Sequence, residues 1–302
     1  SIVISGGSSE GDYENDIKGS NAALKAATII SDGSAKGSSS IQMDGFHGSI
    51  KMDRGVAIYS GEASYDSSQS TSTISLGDYS GNIEIGITPY YENGEERGGG
   101  AVGGILAHGE QNASIQLGDF TGTISLIGTS DDYETIVSAI FSRTSIWENE
   151  LSASSTVSIE AFEGNIRISG GSASNSGIES SIGGEYYDSV VKNNSSSVSI
   201  KAFAGTMALE KGSGIISEGY GGNSTISIGG FSGEIEIGTI PVYDDVNHEG
   251  WFGGGARNGV YSRGSSTSTI SLGDFSGKIT LHGGKESESG SSAIKSYVSG
   301  DG

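Results

Sequence analysis

Apolar residues recur along this chain in short alternating runs, and the runs come in pairs. Ile74 and Leu76 precede Tyr79, and Ile83 and Ile85 follow it. The same arrangement surrounds Phe120 (Ile115 and Leu117, then Ile124 and Leu126) and Phe275 (Ile270 and Leu272, then Ile279 and Leu281). Alternation with a period of two predicts strands with one buried face. The junction within each pair is an aromatic followed two residues later by Gly. It occurs at Phe46, Tyr79, Phe120, Phe162, Phe203, Phe231 and Phe275, at spacings of 33, 41, 42, 41, 28 and 44. A constant motif at an irregular period means a fixed coil carrying loops of variable length.

A third, less regular apolar stretch follows in several coils. It begins near Gly55, Ala101, Thr135, Gly214 and Gly259. Three strands per coil predict an all-β, three-strand parallel β-helix of about seven coils. The 28-residue repeat from Phe203 to Phe231 approaches the bare coil. Coils about 4.8 Å apart give a rod of roughly 34 Å, with the seven aromatics stacked inside it as core. Gly81, Gly122, Gly164, Gly205, Gly233 and Gly277 at the corner are expected to supply a backbone angle that other residues avoid.

Ser1–Gly7 reads as a second strand and the stretch from Ala293 as a third. The chain, residues 1–302, is therefore expected to be one β-solenoid cut from a longer array. A larger unit of four coils is also visible: Phe46, Tyr79 and Phe120 align with Phe203, Phe231 and Phe275 at offsets of 157, 152 and 155. Two long loops correspond under this repeat, one from Gly86 and one from Gly238, and they hold the only prolines, Pro89 and Pro241. They are expected to leave the same corner, four rungs or about 19 Å apart.

Composition refines the picture. With 52 Gly and abundant Ser, disorder is the first alternative, and the repeat argues against it. Lys and Arg total 16 and Asp and Glu 37, a formal charge of −21, which repels nucleic acid and anionic lipid surfaces. The absence of Cys removes disulfides and thiolate metal sites. No run of apolar residues approaches the length of a membrane span.

Candidate chemistry concentrates in the two long loops. Tyr90, Tyr91, Tyr243, Trp251 and Phe252 suit sugar rings or a protein partner, or fold back as a local core. Asp244, Asp245 and Glu249, beside Asn247 and His248, form the densest acidic cluster. Solvation, a cation site with calcium as the ion, and paired-carboxylate glycoside chemistry all remain open for it. Asp131 and Asp132 form a weaker patch. Asp78, Asp119 and Asp274 precede the aromatic, but Gly45, Ala161, Ala202 and Gly230 hold that place in other coils, so they read as turn residues rather than a calcium ladder. The four histidines lack metal-ligand spacing. Thr-rich stretches such as Ser70–Thr73 resemble flat ice-binding faces but occur in only some coils. No cofactor is implied.

The S-x-I-x-L-G-D-F-x-G-x-I-x-L coils, the Gly/Ser/Thr richness and the lack of Cys resemble the passenger domains of bacterial autotransporters and related surface adhesins. The resemblance spans nearly the whole chain. It implies a right-handed parallel β-helix displayed on, or released from, a Gram-negative cell, with a signal peptide and a C-terminal β-barrel outside this segment. The expected function is an extracellular adhesin that binds a host or cell-surface glycan or protein through its loops. A polysaccharide lyase or glycoside hydrolase on a pectin-lyase-like β-helix, and a purely structural stalk, are the alternatives; the lack of an N-T-D motif and the few basic residues argue against the enzyme.

Overall fold

A computed structural model describes residues 2–4, 22–28, 36–62, 69–86, 90–92, 95–97, 99–128, 136–146, 152–171, 174–184, 193–238, 255–282 and 291–299. Within them the chain is all-β and winds through three parallel sheets. The first sheet holds the strands that end on the aromatic: Lys36–Phe46, Gln69–Tyr79, Asn112–Phe120, Ser154–Phe162, Asn194–Phe203, Gly222–Phe231 and Thr267–Phe275. The second holds Ile2–Ile4, Ser49–Met52, Asn82–Ile85, Thr123–Ile127, Asn165–Ser169, Thr206–Leu209, Glu234–Ile237 and Lys278–Leu281. The third holds Ala22–Thr28, Gly55–Glu62, Ala101–Gly109, Ser138–Ile146, Ser176–Gly184, Gly212–Gly219, Ala256–Gly264 and Ser292–Val298. Each sheet stacks its strands in chain order, so the molecule is a three-strand parallel β-helix. Ala22–Thr28 and Ser176–Gly184 lie outside the apolar stretches legible in the sequence.

Like residues stack on like. Ile74, Ile115 and Val157 share one inward column, and Leu76, Leu117 and Ile159 the next. Burial alternates accordingly, as in Asn112–Phe120, where Ala113, Ile115, Leu117 and Phe120 face the core. The seven anchor aromatics form one continuous column. Successive ring centroids are 4.7–5.2 Å apart with planes within 17° of parallel, a range suited to offset stacking. All are buried except Phe275, which closes the column half exposed.

The corner after the aromatic is always two residues long, and its glycine is required for a reason other than the one expected. None of these corner glycines has a positive φ. Each instead lies against the rung before it. A Cβ on Gly205 would fall 2.6 Å from Phe162 Cε1, and one on Gly233 2.6 Å from Phe203 Cε1. Gly48 begins the series, and a Cβ there would meet only the Phe46 ring, at 3.7 Å. The left-handed backbone appears at the next corner, between the second and third sheets. Gly55, Gly86, Gly99, Gly100, Gly170, Gly171, Gly212, Gly238 and Gly255 all have positive φ there.

The inner edge where the third sheet meets the first is lined by serine. Its hydroxyls alternate between the two sheets up the rod. Ser142, Ser155, Ser180, Ser196, Ser217, Ser224 and Ser262 are completely buried. They continue through Ser268 to Ser296, each Oγ within 3.0 Å of the next. First-sheet serines also donate to the carbonyl of the preceding third-sheet serine: Ser155 to Ser142, Ser196 to Ser180, Ser224 to Ser217 and Ser268 to Ser262, at 2.7–2.8 Å. Buried polar groups need such partners. A shorter run, Ser39, Ser60 and Ser72, lies at the other end. The two runs are separated by Ala107 and Ala113, which occupy consecutive places in the series. Both members of a neighbouring pair are replaced together, so no single gap is left inside a run.

Two buried asparagines clamp the remaining corners across rungs. Asn175 accepts from the Val137 amide at 3.0 Å and donates to the Gly170 carbonyl at 2.7 Å. Asn194 accepts from the Ala153 amide at 2.9 Å and donates to the Tyr220 carbonyl at 2.7 Å. Charged side chains stay outside and pair between rungs, as in Lys51–Glu84 at 2.7 Å, Lys278–Glu234 at 2.8 Å and Lys201–Glu160. Exposed pairs of this kind contribute little stability.

Candidate functional site

The two long loops leave the corner between the second and third sheets, as their sequences predict. The first departs at Gly86, with φ 78°, and returns through Gly99 and Gly100, at 94° and 116°. The second departs at Gly238, φ 84°, and returns at Gly255, φ 51°. Their parent strands Asn82–Ile85 and Glu234–Ile237 are four rungs apart in the second sheet. In the first loop Tyr90–Glu92 pairs antiparallel with Glu95–Arg97, setting Tyr91 opposite Glu96. This hairpin is the only departure from parallel pairing among the described residues. Tyr90 and Tyr91 therefore stand on a short ribbon framed by glycines. Tyr243, Asp244, Asp245, Glu249, Trp251 and Phe252 lie outside the described residues, as do Asp131 and Asp132.

Among the described residues no three His, Asp or Glu side chains are grouped to hold a metal ion. The described histidines go to separate partners. His47 Nδ1 meets Ser80 Oγ at 2.7 Å, His108 Nε2 meets Ser145 Oγ at 3.1 Å, and His282 Nε2 lies 3.6 Å from Glu236. The aspartates before the aromatic share their column with Gly and Ala: Asp78 stacks on Gly45, Asp119 on Ala161 and Asp274 on Gly230. Asp78 Oδ1 accepts from the Asp119 amide at 3.3 Å, so the carboxylate serves the backbone of the next rung.

A charged cluster that the sequence did not suggest lies on the outer face of the third sheet. Tyr59, Leu106 and Phe141 stack there in a small apolar cluster separate from the core. Glu179 follows Phe141 in that column, and Ile216 and Tyr261 follow Glu179. Lys25 and Lys295 cap the column at either end, 5.6 Å from the Tyr59 ring and 5.8 Å from the Tyr261 ring. Burial, reinforced by the nearby Glu218 carboxylate, raises the Glu179 pKa to about 7 against the opposing pull of Ser176, Arg143 and Ser181. Burial raises Glu218 as well, opposed by Arg263 and Arg257. Glu179 falls on the strand Ser176–Gly184, whose weak apolar signal hid it.

No helix of the described residues is long and apolar enough to cross a membrane. Comparison with protein-family models, with curated proteins and with solved structures finds no match to the chain.

Proposed function

We propose that the chain is an adhesive segment, displayed outside a Gram-negative cell, in which a rigid β-helical rod presents loops to a host or cell-surface glycan or protein. The observation that carries this reading is the pairing of the two long loops. They share a sequence pattern, leave the same corner four rungs apart, and are each framed by glycines of positive φ. The corner itself does not require such a loop: Leu209 passes to Gly212 through Glu210 and Lys211 alone, and Met52 to Gly55 through Asp53 and Arg54. A rod that can close this corner in two residues, and in these two coils spends 15 and 18 residues on it, is built to project what it extends. The negative charge keeps such a rod soluble and turns away nucleic acid.

The test replaces 87–98 and 239–254 with the two-residue connection of the bare coil. The parent and the shortened rod are then presented to glycan arrays and host-cell surfaces. Binding by the parent and its loss in the shortened rod is the expected result; equal binding by both would remove the loops from the proposal. An enzyme is the second reading, and Glu179 favours it, since a carboxyl protonated near neutrality beside Glu218 suits a general acid. Soluble sugar products that vanish in Glu179→Gln would replace adhesion by hydrolysis or elimination.

A further inference from the structure

We infer that the outer face of the first sheet is a second binding surface, fitted to a neutral polysaccharide. It is independent of the loops. On each strand of this sheet the residues between the inward apolar ones point away from the core, and register stacks them in columns. The central column is Ser40, Thr73, Ser114, Thr156, Ser197, Thr225 and Thr269. The column beside it runs from Gln42 to Ser271 and holds only Ser and Gln. The column on the other side runs from Ser38 to Thr267 and holds only Ser, Thr and Asn. None of these positions is buried. The Thr-rich stretches that the sequence offers in only some coils belong to a polar lattice present in all seven.

Charge, chemistry and periodicity select the occupant. The chain carries a formal −21, yet these three columns carry no ionisable group. A cationic partner finds no counter-charge within these columns, since the next outward position holds only Asp44 and the mutually paired Glu160 and Lys201 among charged groups, and an anionic one is repelled by the rest of the molecule. Every side chain here both donates and accepts hydrogen bonds, so the partner must offer both. The columns contain no aromatic or aliphatic side chain, which leaves nothing to hold an apolar peptide or a lipid. The groups repeat every ~4.8 Å over seven rungs, so a polymer with its own regular repeat engages many at once. A single hydroxyl contact exchanged with water contributes little. Binding therefore depends on avidity along the column. An uncharged chain of sugar rings meets each of these conditions.

The test incubates the full chain with microcrystalline cellulose, chitin and starch granules. A Ser158→Glu, Ser199→Glu variant and the loop-shortened rod run beside it. Both glutamates would point to solvent, and an unchanged thermal transition verifies the fold. The expected result is retention of the parent on at least one polymer, a drop of about 10²-fold or more in the charged-face variant, and undiminished retention of the loop-shortened rod. Absence of retention on all three polymers, or equal retention of the charged-face variant, overturns the inference. Loss confined to the loop-shortened rod also overturns it and returns binding to the loops. A concentration-dependent dimer, or shaping of ice crystals, abolished by the same two glutamates would assign the face to a second copy of the chain or to ice instead.

Discussion

Deleting two neighbouring hydroxyls from the interior serine run should cost less than the two single deletions combined. Ser180 Oγ lies 3.0 Å from Ser155 Oγ and 2.9 Å from Ser196 Oγ, and Ser196 Oγ lies 3.0 Å from Ser217 Oγ. Ser180→Ala breaks the first two of these links, and Ser196→Ala breaks the last two. The double variant breaks all three, but it breaks the Ser180–Ser196 link only once. At about 1 kcal/mol net per neutral hydrogen bond, these links contribute about 2 kcal/mol to the cost of each single change and about 3 kcal/mol to that of the double. The coupling is then about 1 kcal/mol, the value of one shared link. The bonds from Ser196 to the Ser180 carbonyl and from Ser180 to the Ser155 carbonyl, both 2.8 Å, are each lost with their own serine and cancel from the cycle. Urea unfolding gives the overall stability. A solenoid can open coil by coil, so amide hydrogen exchange across Ser176–Gly184 and Asn194–Phe203 gives the local value. Additivity within about 0.3–0.5 kcal/mol would refute the linked run and reduce it to independent side chain–carbonyl bonds.

Other perturbations have equally definite outcomes. Phe162→Ala, in the middle of the ring column, should cost about 3–5 kcal/mol in chemical unfolding. The buried Tyr79 hydroxyl has no partner among the described residues, so Tyr79→Phe should gain about 1 kcal/mol in the same assay. Gly205→Ala should shift the melting transition strongly downward and Gly48→Ala only slightly, because the added carbon runs into the Gly164 carbonyl oxygen and the Phe162 ring in one case and only approaches a ring at 3.7 Å in the other. Glu179 titrates at about 7 in the folded chain against an ordinary 4.5, so its protonated form favours folding. Stability from this group is complete below pH 4.5 and is lost as pH rises through 7. Glu179→Gln should flatten that part of the pH profile and melt higher than the parent at pH 8.

The strands of the first and second sheets were legible because their inward positions are Ile, Leu, Val and Phe, which mark period two without ambiguity. The third sheet was harder to read. Its inward positions include Ser142, Ser180 and Ser217, and Gly104, Gly177 and Gly214, where a Cβ would crowd the neighbouring backbone carbonyl. Serine and glycine carry no apolar signal, so the strand Ser176–Gly184 is hidden in the sequence along with Glu179. The serine run is invisible for the same reason: a hydroxyl reads as surface until register places it beside another. The sequence marks the glycines after the aromatic as necessary, but the cause is the corner carbonyl and the ring of the previous coil, which no local pattern reveals. The loop residues Tyr90 and Tyr91 were placed at the right corner by the repeat, since Gly86 and Gly238 occupy equivalent rungs.

The constant two-residue corner after the aromatic divides the rod into places that accept inserted chain and places that do not. With that corner fixed and the rings stacked, the register of each coil is set before the other two corners are reached. Length can then change at those corners without moving the rungs above and below. The connections at Glu210–Lys211 and Tyr220–Gly221 are among the shortest instances, and the same corners elsewhere carry long excursions. A lineage of such rods can therefore lose, lengthen or exchange its projecting segments one coil at a time while the frame that carries them is inherited intact.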